Sequence, residues 1–162
     1  IIIGREKMNK LSQEEANELI NALKRKIEEK IFYFPHEKGR LEFNVLSDDE
    51  KEFVVNIQRK GIRNDSCTYQ GRLINGTVLM RLDINPTAKH FDKKTGQYII
   101  GPHLHIYSEE YGNEAIPFDV NNKNLYELCF EFFKKFNVVE IPEIYFQNGL
   151  KWFNLKKNNM RR

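Results

Sequence analysis

The sequence predicts an α+β protein in which two helices cover the apolar face of an antiparallel sheet. This sheet of five to seven strands would be strongly curved and barrel-like. Several segments alternate apolar and polar residues with period two, which is typical of strands with one buried face. Two other segments, one near each end, carry apolar residues at helical spacing. The chain has 162 residues, 40% hydrophobic and 30% charged, which fits a globular domain with its own core.

The two helices are predicted from their caps and their apolar faces. Ser12-Gln13-Glu14-Glu15 has the spacing of a capping box and predicts a helix over about 12–30. Its buried side would carry Ala16, Leu19, Ile20, Leu23 and Ile27. Asn121 or Asn122 is the predicted cap of a second helix that ends near 136. The apolar side of that helix carries Leu125, Leu128, Cys129, Phe132, Phe133 and Phe136.

The best-defined predicted element is a hairpin at Asn75-Gly76, because Asn-Gly between two alternating runs favours a two-residue type I′ turn. This turn would place Gln70 opposite Arg81, Thr68 opposite Asp83 and Arg72 opposite Leu79. The core side would then carry Tyr69, Leu73, Val78, Met80 and Leu82. Residues 85–97 are predicted to form a polar loop long enough to bind a ligand.

We expect one domain over residues 8–150, a basic C-terminal tail over 151–162 and extra N-terminal residues at 1–7. No apolar run approaches the ~18 residues that span a membrane, so no membrane partner is expected. Cys67 and Cys129 are isolated, which predicts a reducing, cytoplasmic setting. The net charge of +3 permits a polyanionic partner without requiring one.

The most informative segment is Pro102-His103-Leu104-His105-Ile106-Tyr107. Leu104 and Ile106 would point into the core, whereas His103, His105 and Tyr107 would share the other face of the sheet. If the 66–74, 77–84 and 100–107 strands are neighbours, seven polar side chains meet on that face. They are Gln70, Arg72, Arg81, Asp83, His103, His105 and Tyr107.

Cleavage of RNA without a metal or other cofactor is the function that this set predicts. His103 and His105 would act as general acid and base, while Arg72 and Arg81 stabilise charge on the phosphate. Substrate would be bound by Gln70, Tyr107 and Asp83, with Lys93 and Lys94 of the polar loop tracking phosphates.

Two other interpretations stay open. The His-x-His pair with Asp83 matches a known divalent-metal pattern. Alternatively, the face is an exposed polar surface that binds RNA or another protein without turnover. The sequence has no P-loop, dinucleotide-binding, GxSxG or paired CxxC motif, so nucleotide hydrolysis, dinucleotide binding and serine hydrolase chemistry have no support.

Four segments carry a resemblance to a family of small bacterial and phage proteins known only as a domain of unknown function: 11–16, 69–72, 79–84 and 101–109. The likeness covers about 11–150 and implies a mobile-element setting. In size and charge the chain is also similar to the RNA-cleaving toxins of type III toxin–antitoxin systems, such as the CptN-like group. That similarity implies a folded RNA as antitoxin. We therefore expect RNA as a partner, with a host defence protein as the alternative and a homo-oligomer as a further possibility.

Overall fold

The computed structural model describes residues 10–146 and has an α+β fold with two helices and a large, mostly antiparallel sheet. The predicted N-terminal extra residues 1–7 and the basic tail at 151–162 lie outside the described residues. The helices are α1 (Gln13–Asn21) and α2 (Leu125–Lys135). The strands are β1 (Lys24–Lys26), β2 (Ile31–Phe34), β3 (Gly39–Ser47), β4 (Glu52–Arg59), β5 (Cys67–Leu73), β6 (Val78–Ile84), β7 (Lys89–Asp92), β8 (Gln97–Ile100), β9 (His103–Ser108), β10 (Gly112–Pro117), β11 (Val138–Glu140) and β12 (Glu143–Phe146).

The main sheet has eight strands in the order β10-β9-β6-β5-β4-β3-β1-β11, so it is larger than the five to seven strands expected and is not closed into a barrel. Within the described residues its neighbours pair antiparallel, except the parallel pair β1–β11. The predicted adjacency of β5, β6 and β9 is confirmed. Two small two-stranded sheets, β2–β12 and β7–β8, complete the fold. No helix among residues 10–146 has the length and apolar character that crossing a membrane requires.

Aromatic side chains of α2 form the centre of the core on one face of the main sheet. Phe132, Phe133 and Phe136 are fully buried. Phe133 packs edge-on against Phe43 of β3, and Phe136 packs edge-on against Phe53 of β4, with ring centroids 5.8 and 5.9 Å apart. The helix is held against the sheet because these aromatic side chains bury apolar surface against several strands at once.

The first helix is shorter than predicted, because α1 ends at Asn21 and the chain enters strand β1 at Lys24. Leu23 and Ile27, expected in the core, are each 46% exposed. Strand β1 pairs with β3 on one side and β11 on the other. Backbone pairing on both edges outweighs the helical spacing of these apolar residues, which is a weak preference by itself.

The second helix begins later than predicted, at Leu125. Asn124 is its cap, and the side chains of Asn124 and Glu127 form a reciprocal capping box. Asn121 and Asn122 precede the cap with φ of 51° and 59°. Asparagine tolerates this left-handed region better than most residues, so both belong to a turn that leads into the helix.

The β5–β6 hairpin has a three-residue loop instead of the predicted two-residue turn. Leu73 N–H donates to the Thr77 carbonyl, and Gly76 N–H donates to the Leu73 carbonyl. Gly76 has a φ of 100°, whereas Asn75 is not at positive φ, which rules out a type I′ turn. The longer loop shifts the pairing at the hairpin end by one residue.

A β-bulge at Leu79 restores the predicted register. Arg72 pairs with Val78 instead of Leu79, while Gln70 still pairs with Arg81 and Thr68 with Asp83. The unpaired Leu79 is buried, and Val78, predicted for the core, is 36% exposed. The bulge thus places Leu79 in the core, although the predicted two-residue turn put it opposite Arg72.

Candidate functional site

Strand register brings four of the predicted site residues together on β6 and β9. Asp83 pairs with His103, and Arg81 pairs with His105. Leu82 and Leu104, which alternate with them, belong to the hydrophobic core. The four polar side chains therefore lie on the face of the sheet opposite the core, as the alternation predicts.

The interpretation of this face as an exposed polar surface is wrong for the two histidines. His103 is 3% exposed and His105 is 4% exposed. The cover comes from the segment predicted as a polar loop, which instead forms the β7–β8 hairpin. His90 of β7 stacks on His103 with ring centroids 5.3 Å apart, and meets His105 edge-on at 4.5 Å.

Asp83 is the centre of the polar contacts. Its Oδ2 lies 3.0 Å from His105 Nε2 and 3.4 Å from His103 Nε2, and it accepts a hydrogen bond from Arg81 Nη2 at 3.0 Å. Burial would raise the pKa of Asp83. Hydrogen bonds from His103 and His105 and the charge of Arg81 outweigh burial and hold that pKa well below its ordinary value.

The outer nitrogens of both buried imidazoles are also bonded. His103 Nδ1–H donates to the Gly101 carbonyl over 2.8 Å, and His105 Nδ1–H donates to Asn113 Oδ1 over 3.0 Å. Arg81 Nη2 lies 3.1 Å from His105 Nε2. These bonds fix both rings so that their Nε2 atoms face Asp83 and each other.

The pKa values of His103 and His90 are shifted in opposite directions. The hydrogen bond to Asp83 raises the pKa of His103, against the effect of burial. Burial lowers the pKa of His90, and the neighbouring His105 and His103 lower it further. Each of the three histidines offers a ring nitrogen, and these nitrogens lie within 4.8 Å of one another. Among residues 10–146 this is the cluster with donors suited to a metal ion.

A polar basin of about 420 Å³ opens beside the cluster, and Arg81 and Asp83 belong to both. The histidines do not line it. Its other walls come from β4, β5 and the loops that follow β4 and β6. The lining residues are Gln58, Lys60, Ser66, Cys67, Thr68, Gln70, Arg81, Asp83, Ile84, Asn85 and Ala88. Gln70, predicted to contact substrate, is therefore at the basin.

Arg72 is not brought to the site. Its Nη1 donates to the carbonyls of Leu73 and Ile74, and its Nη2 lies 3.9 Å from Glu42 Oε1. Arg72 lies at the hairpin end of β5, where its side chain reaches the turn and β3. The structure therefore does not support the predicted role of Arg72 in phosphate stabilisation.

Tyr107, Lys93 and Lys94 also lie apart from the cluster. Tyr107 donates its hydroxyl hydrogen to the Leu11 carbonyl over 2.7 Å and so holds the segment before α1. Lys94 forms an ion pair with Glu114 of β10 over 2.9 Å. Lys93 and Tyr107 line a second depression that also contains Glu109 and Glu110, whose charge opposes phosphate binding.

Sequence reasoning missed His90 and Asn113. For His90 a signal existed: aromatic residues Phe91 and Tyr98 flank a turn that contains Gly96, a hairpin pattern. Asn113 carried no local signal. Its contact with His105 depends on the pairing of β9 with β10, which only the assembled sheet shows.

The fold and site define an α+β protein whose open sheet carries a buried histidine–aspartate–arginine cluster next to a polar basin. The chain matches the family of unknown function DUF6978 over residues 11–138 and belongs to it. This match confirms the resemblance to a domain of unknown function. Neither the curated proteins nor the solved structures contain a significant match to the chain.

Proposed function

We propose that this protein is an RNA-directed phosphodiesterase that binds the scissile phosphate in the polar basin, against Arg81. The observation that carries the proposal is the position of Arg81, which lines the basin and also contacts the histidine–aspartate cluster. A phosphate bound at this guanidinium would lie next to the cluster. The same residue would then hold the substrate and place it at the reactive groups.

The contacts of Arg81 leave capacity for a ligand. Its Nε and Nη2 donate to Asp83, and within residues 10–146 no hydrogen bond is made by Nη1. The side chain is 38% exposed. Because Asp83 orients the guanidinium, Nη1 is a preorganised donor for a phosphate oxygen.

The rest of the basin suits a ribonucleotide. Lys60 adds a second positive charge. Gln58, Thr68 and Gln70 present amide and hydroxyl groups, which can bind a ribose hydroxyl or a base edge. This combination of cationic and neutral polar groups favours RNA over a simple inorganic anion.

Cleavage of RNA needs two proton transfers. The 2′-oxygen attacks phosphorus as its proton leaves, and the P–O5′ bond breaks as a proton reaches O5′. The metal-free scheme predicted from the sequence assigns these transfers to His103 and His105. Both rings are buried and lie outside the basin lining, so a substrate in the basin meets Arg81 and Asp83 before either imidazole. This geometry does not favour direct acid and base roles for the pair.

Binding without turnover is a second candidate, favoured by the outer face of the β7–β8 hairpin. Phe91 and Tyr98 are 47% and 60% exposed and contact each other. The Lys89 ammonium lies 4.3 Å from the centroid of the Tyr98 ring. Aromatic rings with an adjacent cation can stack nucleic acid bases without cleaving the chain.

The test is incubation of the purified protein with end-labelled RNA, in zinc-supplemented buffer and in EDTA. The matched pair is Arg81→Gln in the basin and Arg40→Gln on β3, where Arg40 is exposed and paired with Glu42. We expect wild type and Arg40→Gln to cleave the RNA. The cleavage rate of Arg81→Gln should be at least 100-fold lower, since a positioned cation accelerates the reaction by this much.

Cleavage in EDTA would restore the metal-free scheme. RNA binding without cleavage that Arg81→Gln leaves intact would instead establish the second candidate, because its aromatic face lies on the hairpin and not in the basin. Equal activity in Arg81→Gln and wild type would overturn the assignment of the basin. The toxin hypothesis adds a narrower expectation. A folded RNA that is encoded next to the gene would bind this protein tightly and suppress its cleavage of other RNAs.

A further inference from the structure

We propose that His90, His103 and His105 form a binding site for one divalent transition-metal ion of the zinc class, with Asp83 as the fourth ligand. Imidazole and carboxylate are common ligands of this class. The three ring nitrogens already lie within 4.8 Å of one another. Tetrahedral zinc places its ligands about 3.4 Å apart, so small side-chain rotations would close the set.

The surroundings of His103 and His105 match those of metal-bound imidazoles. Metal-ligating histidines almost always donate the other ring N–H to a carbonyl or carboxylate, which fixes the tautomer. Gly101 and Asn113 accept these bonds from the two Nδ1 atoms. Both Nε2 atoms are thereby directed inward, where each becomes a metal ligand once its proton is released.

The convergence on Asp83 is the second observation. Asp83 Oδ2 lies 3.0 and 3.4 Å from the two Nε2 atoms. Without a metal, ring N–H groups donate hydrogen bonds to this oxygen, so a metal ion that displaced the protons would be bound by the same three atoms. Arg81 reaches His105 and Asp83 from the basin side. Metal binding would therefore release protons from the cluster.

His90 makes the site depend on the β7–β8 hairpin, because the other ligands come from the main sheet. Metal binding would therefore hold the hairpin against β6 and β9. The binding of the ion does not depend on RNA cleavage. Its catalytic use rests on the proposed function: an ion next to Arg81 could polarise the phosphate and lower the pKa of a bound water.

The experiment is calorimetric titration of EDTA-treated, full-length protein with zinc chloride, repeated with cobalt(II) and followed by its visible absorption. We expect one ion per chain and the intense cobalt bands of a four-coordinate site. His90→Ala should weaken binding by at least 100-fold. The matched control is His36→Ala, because the His36 side chain is exposed and pairs with its neighbour Glu37.

Asn113→Leu tests the orienting contact and should weaken binding 10–100-fold, as outer-shell substitutions do. Circular dichroism verifies the folding of each variant. Because His90 is only half-buried, His90→Ala can still test the site if His103→Ala fails to fold. A wild-type protein that binds no zinc or cobalt, or a His90→Ala protein that binds both as well as wild type, would overturn the site. Stoichiometric binding without RNA cleavage would leave the site intact and remove the proposed function.

Discussion

The ammonium of Lys24 lies 2.8 Å from the carbonyl oxygen of Phe136, the C-cap residue of α2. The same nitrogen donates to Ile20 and Ala22 at the end of α1, over 2.9 and 2.8 Å. One fully buried lysine thus caps the C-termini of both helices, where the helix dipoles favour a cation.

Replacing Lys24 with methionine should lower the free energy of unfolding by about 2–4 kcal/mol, since three carbonyls, two of them buried, would lose a donor. Urea unfolding measures the change. Lys26→Met on the same strand is the control, because its exposed pair with Glu29 is worth less than about 1 kcal/mol. Equal stability of Lys24→Met and Lys26→Met would contradict the capping role.

Stability should also rise with pH through Lys24. Burial lowers the pKa of Lys24 from its usual 10.5 to about 7. Between these values the unfolded chain keeps the proton and the folded chain releases it, so the free energy of unfolding increases as pH rises. Below about pH 7 Lys24 is protonated in the folded chain too, so the cost of burying its charge lowers the free energy of unfolding in full.

The pH effect is measured as the difference between wild type and Lys24→Met, which removes the contributions of other groups. From pH 7.5 to 9.5 this difference should shift in favour of wild type by roughly 2 kcal/mol, given about 1.4 kcal/mol per unit of pKa difference. A difference that stays constant over this range would show that Lys24 keeps its proton throughout.

Gly71→Ala should be destabilising by about 1–3 kcal/mol, the usual range for overpacking. A Cβ at Gly71 would lie 2.6 and 2.7 Å from the Cζ and Cδ2 atoms of the Phe136 ring. Gly61→Ala is the matched control, because a Cβ there has no atom within 4 Å. Thermal unfolding compares the two. If Phe136→Leu in the Gly71→Ala background fails to recover any stability, the close approach is not the cause.

Much of the fold could be predicted because residues of β3, β4, β5 and β6 alternate between buried and more exposed positions. Alternation alone placed Arg81, Asp83, His103 and His105 on one side of the sheet, and the registers confirm it. The hairpin end could not be predicted from Asn75-Gly76, since the burial of Leu79 requires a bulge and the loop length adapts to it. Local turn preference is smaller than the burial of a leucine.

The cover over the histidines is the part of the site that the sequence left open. His90 lies in a segment rich in turn formers and charge, so its polar composition favoured a loop. Its role depends on contacts with His103 and His105 of β9, a strand that follows later in the chain. For the same reason the helical spacing beyond Asn21 was misleading, because the sheet partners of β1 are distant in sequence.

Strand β10 forms one edge of the eight-stranded sheet, and the β7–β8 hairpin packs against it. Lys94, in the turn of the hairpin, is tied to Glu114 in that edge strand. Exposed edge strands can recruit another chain by backbone pairing and so start aggregation. The hairpin that shields the imidazoles therefore also guards the protein against self-association, and deleting it would endanger solubility together with any chemistry at the site.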